Sequence, residues 1–457
     1  MKQEETVLKE NDRAELNITG YTSDGEGVGR ADGEAVFVPG AIAGEVCLVR
    51  IVNVGKTCAH GVLERVLRPS AHRVAPDCPY FPACGGCDFR HMDYEEELAL
   101  KKQRVLDALA RIGGVELPGL SVCPSPRLDG CRNKAQYPVS LQKGRAVCGF
   151  YRAGTHEVVD VKSCRLQPPA ADRIREAVLA WMASCGVPAY DERARTGCIR
   201  HIYLRFGFQT GQILVCVVGS RDSAPAPEAL VKALRSAAPE ITSVVFSANR
   251  KPGNTVLGDR FETLYGPGYI EDELLGLRFR LSPRSFYQVN PEQAERLYQQ
   301  ALAFAALTKN DTALDLYCGT GTITLLLARE AGRAVGVELV EQAVADAREN
   351  AARNGVQNAE FFCADAGEAA RRFAAESRRP DVIVVDPPRK GLSEDVTAAM
   401  LEMQPARIVY VSCDPATLAR DCRRLSPSYR LASAASFDLF PRCAHVETVV
   451  LMSRVKE

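Results

Sequence analysis

From about Ser282 onward the chain alternates short apolar runs with helical stretches. The runs are Thr-Ala-Leu-Asp-Leu-Tyr (312–317), Ala-Val-Gly-Val-Glu-Leu (334–339), Glu-Phe-Phe-Cys-Ala-Asp (360–365), Asp-Val-Ile-Val-Val-Asp (381–386) and Arg-Ile-Val-Tyr-Val-Ser (407–412). They are nearly continuous in apolar character, as strands buried on both faces require. Parallel neighbours need a crossover, and the intervening helical stretches supply one each time. This rhythm predicts a doubly wound α/β domain of Rossmann-like type, with ligands bound beyond the carboxyl ends of the strands. Phe-Asp-Leu-Phe-Pro (437–441) and Glu-Thr-Val-Val-Leu-Met-Ser-Arg-Val (447–455) follow closely, as an antiparallel pair at the sheet edge would.

That domain takes up residues 271–457, so the 457-residue chain has room for more. Residues 1–70 read as an OB-like β-barrel, with short alternating strands and glycine-rich turns from residue 12 on. A Cys/Pro-rich knot follows (75–92). Residues 94–111 have helical spacing and Gly113–Gly114 as a stop, so the segment 93–120 is predicted to pack as a helix on the α/β domain. Residues 71–92 and 121–270 are assigned to a central α+β domain. There is no apolar run of membrane-spanning length and no apolar segment in the N-terminal Met-Lys-Gln-Glu-Glu-Thr-Val-Leu-Lys-Glu. A soluble cytoplasmic protein is expected, with no membrane partner. Its 17 cysteines would then be reduced and available as ligands, nucleophiles or core residues.

In the α/β domain the first strand leads into Asp315-Leu-Tyr317-Cys-Gly319-Thr-Gly321-Thr322. Glycines at a strand-to-helix turn let a ligand approach the backbone, but Thr324 stands where a dinucleotide fingerprint has its third glycine. The next strands end in Glu338, Asp365 and Asp386. Three acids along one crevice, with Glu338 placed for ribose hydroxyls, favour S-adenosylmethionine over a nicotinamide dinucleotide. Cys413 at the end of the fifth strand reads either as a nucleophile or as a small buried residue. Glu447 reads either as a catalytic carboxylate or as an edge-strand charge.

Taken in order, Phe-Tyr-Gln-Val-Asn (286–290), Asp-Leu-Tyr-Cys-Gly-Thr-Gly (315–321), Asp-Pro-Pro-Arg-Lys-Gly (386–391), Ser-Cys-Asp-Pro-Ala-Thr-Leu-Ala-Arg-Asp (412–421) and His-Val-Glu-Thr-Val (445–449) resemble the RNA uracil-5-methyltransferase family. The resemblance implies that Cys413 attacks carbon 6 of a uracil and that Glu447 removes the carbon 5 proton. It also implies that Gln288, Tyr317, Gly319, Gly321, Thr322, Glu338, Asp365 and Asp386 hold S-adenosyl-L-methionine, and that Phe286 and Gln288 face the target base. Gly-Glu-Gly-Val-Gly-Arg (25–30) and the following Val-Phe-Val-Pro-Gly-Ala-Ile-Ala-Gly-Glu-Val (36–46) resemble a TRAM domain, an RNA-binding barrel.

Cys78, Cys84, Cys87 and the distant Cys164 have spacing that suits zinc, an iron–sulfur cluster or no metal. Resemblance to the 23S ribosomal RNA branch of the family implies a [4Fe–4S] cluster on these four, and 23S rRNA as the partner of a monomeric enzyme. Residues 121–170 carry eight Lys/Arg against three acids, with aromatics interleaved. Arg132, Lys134 and Arg152 are therefore candidate RNA contacts. The rivals are a tRNA uracil-5-methyltransferase, expected to lack both barrel and cluster, a non-catalytic iron–sulfur RNA-binding protein, and a radical methylthio-transferring enzyme.

Overall fold

The computed structural model describes residues 8–376 and 379–455. The polar N-terminal stretch read above for a leader lies mostly outside them.

The N-terminal barrel is a six-stranded sheet. Its order is Arg13–Asn17, Val46–Val54, Cys58–Arg68, Glu34–Val38, Gly27–Ala31 and Gly20–Tyr21. Alternate residues point inward, so Leu16, Val36, Val49 and Ile51 are fully enclosed. Gly61 is required at a close approach, because a Cβ there would stand 2.2 Å from Val49 Cγ1.

The helix Tyr94–Ala108 starts where Asp93 accepts a bond from the Glu96 backbone N–H at 2.9 Å. It runs into a wider turn, Leu109–Gly113, and ends at Gly114 in the left-handed conformation (φ 69°). It packs on the α/β domain: Val105 and Leu109 meet Ala419 of the helix Pro415–Leu425. Its Lys101 is wholly buried, and Nζ reaches Glu97 Oε1 at 2.7 Å, Asp438 Oδ1 at 2.6 Å and the Phe440 carbonyl at 3.2 Å.

The central domain is a seven-stranded mixed sheet, from Val158–Asp160 at one edge to Arg260–Tyr265 at the other. The helices Pro169–Ser184 and Pro227–Ala237 cover one face. The other face places Tyr203, Leu214, Cys216 and Val218 into the same core as the helix Pro291–Ala305 of the catalytic domain. With both faces covered, Ile199–Phe206 and Ile213–Gly219 are buried throughout.

The catalytic sheet has eight strands, ordered Ala359–Cys363, Arg333–Glu338, Thr312–Asp315, Val382–Val385, Arg407–Ser412, Glu447–Arg454, Tyr429–Phe437 and Val122–Cys123. The first five are parallel and Glu447–Arg454 is antiparallel, as the chain rhythm predicts. One boundary differs: Val122–Cys123, placed by sequence in the central domain, forms the last strand of the catalytic sheet. Two residues are too few for any periodic signal. Among the described residues no helix is long and apolar enough to cross a membrane.

Candidate functional site

A cleft of about 760 Å³ opens at the carboxyl ends of the parallel strands. At one end, Asp315 finishes its strand fully buried, and its Oδ2 accepts a 2.7 Å bond from the Thr324 hydroxyl. Thr324 thus anchors the turn from beneath, which accounts for its place in the fingerprint. Above it, Glu338 spans the glycine turn: Oε2 accepts from the Gly319 N–H at 3.2 Å and Oε1 from the Val340 N–H at 2.9 Å. Tyr317, Gly319, Thr322, Glu338, Asp365 and Gln288 all line the cleft. Asp365 also caps its own helix, accepting from the Gly367 and Glu368 N–H groups at 2.9 and 3.2 Å. Gly321 does not line the cleft. It starts the helix Thr322–Glu330 at φ 87°, and a Cβ there would lie 3.0 Å from Ala347 and 3.1 Å from the Phe361 ring. Its smallness serves packing rather than ligand contact.

At the other end, Ser412 and Thr448 are the last pair of their two strands, so Cys413 leaves one strand beside the start of the other at Glu447, and both line the cleft. Asp414 caps the following helix through the Thr417 N–H at 2.9 Å, and the turn directs Cys413 into the cleft. Glu447 is 3% exposed. Burial, and then the neighbouring Asp386, push its carboxyl up to about 8, against the pull of Arg389. Asp386 is itself pushed up to about 7 by burial and by Asp315. The Cys413 thiol rises to about 11, through burial first and then Glu447 and Asp386. In this state the thiol keeps its proton at neutral pH, beside two carboxyl groups able to exchange one.

The sequence reading missed Tyr298. It lies on the inner face of the helix Pro291–Ala305 among Ala294, Leu297 and Ala301, where a tyrosine reads as core. Its ring lines the cleft, and its phenol, held well above its ordinary value by burial, feels Asp386 and Glu447 and is hydrogen-bonded by the Gln288 side chain. His445 was missed as well; its Nε2 lies 2.9 Å from Arg389 Nη2, and both residues line the cleft.

The candidate RNA contacts divide. Phe286 is 64% exposed at the cleft rim. Lys134 reaches the cleft from the central sheet, its ammonium pushed down to about 8 by burial and by Arg205 and Arg132. Arg152 is exposed but already engaged by Glu157, at 2.9 and 3.1 Å. Arg132 turns away from any outer face, with Nη2 2.9 Å from Cys443 Sγ.

Arg132 points into a second, small cavity of about 70 Å³, lined by Cys78, Cys84, Cys87 and Cys164. Arg90 Nε donates to Cys87 Sγ at 3.3 Å. Among the described residues, no group of three or more His, Cys, Asp or Glu side chains is disposed to hold a metal ion. This knot is tied to the loop that precedes Glu447. The Asp88 and Phe89 N–H groups donate to the Arg442 carbonyl at 2.7 and 3.1 Å, Asp88 Oδ2 accepts from the Ala444 N–H at 2.9 Å, and Cys443 Sγ lies 3.4 Å from the Gly86 carbonyl oxygen.

Residues 269–455 match the family profile described as tRNA (Uracil-5-)-methyltransferase, and residues 8–63 match the TRAM domain. The chain is 39% identical, over 99% of both chains, to an uncharacterized RNA methyltransferase of Halalkalibacterium halodurans. It is equally similar to one of Clostridium tetani, over 98% of this chain and 97% of that one. Among solved structures, the tRNA (uracil-54, C5)-methyltransferase of Pyrococcus abyssi, in complex with S-adenosyl-L-homocysteine, superposes with a TM-score of 0.78 at 28% identity, over 96% of this chain and 99% of that one. Matched over nearly its whole length, that tRNA enzyme corrects the expectation that the tRNA branch lacks the barrel. With an acid-lined cleft at the strand ends and these relatives, the chain belongs to the S-adenosylmethionine-dependent RNA uracil-5-methyltransferase family.

Proposed function

We propose that this protein methylates carbon 5 of a uridine in 23S ribosomal RNA, with Cys413 as nucleophile and Glu447 as base. The observation that carries the roles is that Cys413 and Glu447, which flank the last Ser412–Thr448 pair of two neighbouring strands, line one cleft. Uracil carbon 5 is a poor nucleophile while the ring stays conjugated. In the proposed sequence the Cys413 sulfur bonds carbon 6, its proton passes to the Asp386 carboxylate, which leaves Glu447 free to act as base, and the ring electrons move onto the carbon 4 oxygen. S-adenosylmethionine supplies an electrophilic methyl carbon, which carbon 5 takes up. Glu447 then removes the carbon 5 proton, the carbon 5–carbon 6 double bond re-forms, and the Cys413 sulfur leaves. The raised Glu447 carboxyl suits a base that works near neutral pH.

The 23S assignment rests on the four-cysteine cavity. Its donors suit a [4Fe–4S] cluster held by Cys78, Cys84, Cys87 and Cys164: four thiols face one space, and the buried Arg132 Nε and Gln167 Oε1 beside it have no partner among the described residues. Zinc would draw four sulfurs to within about 2.3 Å of one centre, whereas a cluster spreads them over several irons. Such a group would supply folding stability to the knot. The second reading, a tRNA uridine as substrate, is favoured by the superposition on the Pyrococcus abyssi enzyme.

Two variants test the roles. Cys413→Ala is expected to abolish methyl transfer, and full activity would end the nucleophile assignment. Glu447→Gln is expected to trap a protein–RNA adduct that survives denaturing electrophoresis; its absence would give Glu447 another task. Mapping 5-methyluridine in ribosomal and transfer RNA from cells with and without the gene decides between the two substrates.

A further inference from the structure

Apart from the catalytic groups, positive charge gathers at the mouth of the cleft. Arg389 lines it, and near Arg389 the helix Tyr94–Ala108 brings the half-buried Arg104, with Nη1 2.6 Å from the Ala444 carbonyl oxygen. The next residue, His445, meets the Arg389 guanidinium at 2.9 Å. Two guanidiniums are thus fixed to consecutive residues of one loop. Among the described residues neither forms an ion pair with a carboxylate within 4 Å. The carboxylate of Asp414 is occupied in capping its helix through Thr417, and Asp24 sits on an exposed turn of the barrel. Burial and the proximity of Arg389 make the Arg104 charge harder to hold, while Asp414 and Asp24 offset this only in part.

The loop has little freedom to relax. Ala444 belongs to a small cluster with Ile42 and Tyr21 of the barrel, Phe89 and Met92 of the knot and Leu100 of the helix. Four parts of the chain therefore hold the two guanidiniums within electrostatic reach of one another, at a cost that a bound anion would offset. A planar fork of N–H donors is the group best matched to phosphate oxygens. The family's substrate carries one phosphate per nucleotide, and a base turned out of its stack into the cleft draws its own backbone to the rim.

We propose that Arg104 and Arg389 form a two-guanidinium clamp for a backbone phosphate of the nucleotide whose base enters the cleft, with His445 fixing the orientation of Arg389. The clamp rests on the reading of the chain as an RNA methyltransferase. It adds a residue from outside the α/β domain to substrate binding, and it explains why that helix is bound to the catalytic loop.

The test uses the full chain and labelled S-adenosylmethionine, with a pool of unmodified 23S rRNA and tRNA transcripts as acceptor, at several salt concentrations. R104Q is expected to raise the apparent KM for RNA about tenfold and to flatten the dependence of log(kcat/KM) on log salt by about one phosphate contact. R104K keeps the charge and is expected to retain the wild-type slope while recovering part of the KM. Affinity for S-adenosylhomocysteine stays at the wild-type value in both. Should R104Q unfold, R104K with its fork removed carries the KM comparison alone. An R104Q enzyme with wild-type KM and salt slope overturns the clamp and leaves the methyltransferase reading intact. A wild-type enzyme that labels no RNA in the pool overturns both.

Discussion

Glu447 sits in a position that costs stability. Its carboxyl rises from the ordinary 4.5 to about 8 because ionising it means placing charge in a buried site beside Asp386. At 1.36 kcal/mol for each tenfold change in proton affinity, that makes the ionised side chain roughly 4–5 kcal/mol less favourable in the folded protein than in the unfolded chain. The unfolded chain releases this proton above about pH 4.5, the folded chain only above about 8. The wild type therefore loses stability, relative to a variant with no charge to ionise, as pH climbs through that interval, and the deficit is complete above it. Glu447→Gln keeps the shape and removes the titration. In thermal unfolding without cofactor, the variant and the wild type should melt within a few degrees of each other at pH 5. At pH 9 the variant should melt higher by on the order of 10 °C, for a unit of this size. Introducing Asp386→Asn first should shrink that gain, since Asp386 is the second cause of the shift. A gap no larger at pH 9 than at pH 5, or a variant less stable at high pH, would refute the reasoning. A wider gap at pH 9 would mean that the protein gives up stability to keep a base poised where it is needed.

Three further outcomes are expected. Lys101→Met should destabilise the protein by about 3–5 kcal/mol at pH 7.5, because Glu97 and Asp438 lose their shared buried counter-charge; the loss should lessen at lower pH, where Glu97, its carboxyl already raised by burial, takes up a proton, and chemical denaturation checks it. Glu338→Ala should weaken S-adenosylhomocysteine binding roughly 10- to 100-fold in calorimetry, since it removes a charged acceptor and frees the Gly319 turn; unchanged affinity would place the ribose elsewhere. Cys87→Ala should lower the iron content of protein purified without air, and a colourless wild type holding one zinc would exclude the cluster.

The catalytic fold was legible because parallel strands buried on both faces leave continuous apolar runs, and five of them appear in order. Cys413 and Glu447 could be suspected as separate strand ends. Their meeting in one cleft could not, since it depends on the register of a strand pair that no local signal sets. Arg132 shows the limit of counting charge: the segment 121–170 is basic, yet this arginine turns inward to the cysteines because the strand starting at Lys134 fixes which way its neighbours face. Tyr298 was hidden for the opposite reason, as a polar tip on a stripe that packs as core. Gly321 was singled out for ligand contact, and the structure sets it tightly against Ala347 and the Phe361 ring.

The strand Val122–Cys123 has a consequence for how the molecule is made. It precedes the central domain in the chain, yet it completes the catalytic sheet beside Tyr429–Phe437, which is translated almost last. The central domain is thus an insertion into the catalytic one, and the ribosome must release nearly the whole protein before that sheet can close. A fragment cut at the apparent boundary near residue 271 would unpair Ser436 and Phe437 and bare Leu431 and Ala434, which pack with Val105 and Leu109. Unpaired edges and bared apolar faces recruit other chains. Truncation there should yield aggregates rather than a free-standing methyltransferase, whereas a fragment that begins ahead of Asp93 retains the strand that covers the edge.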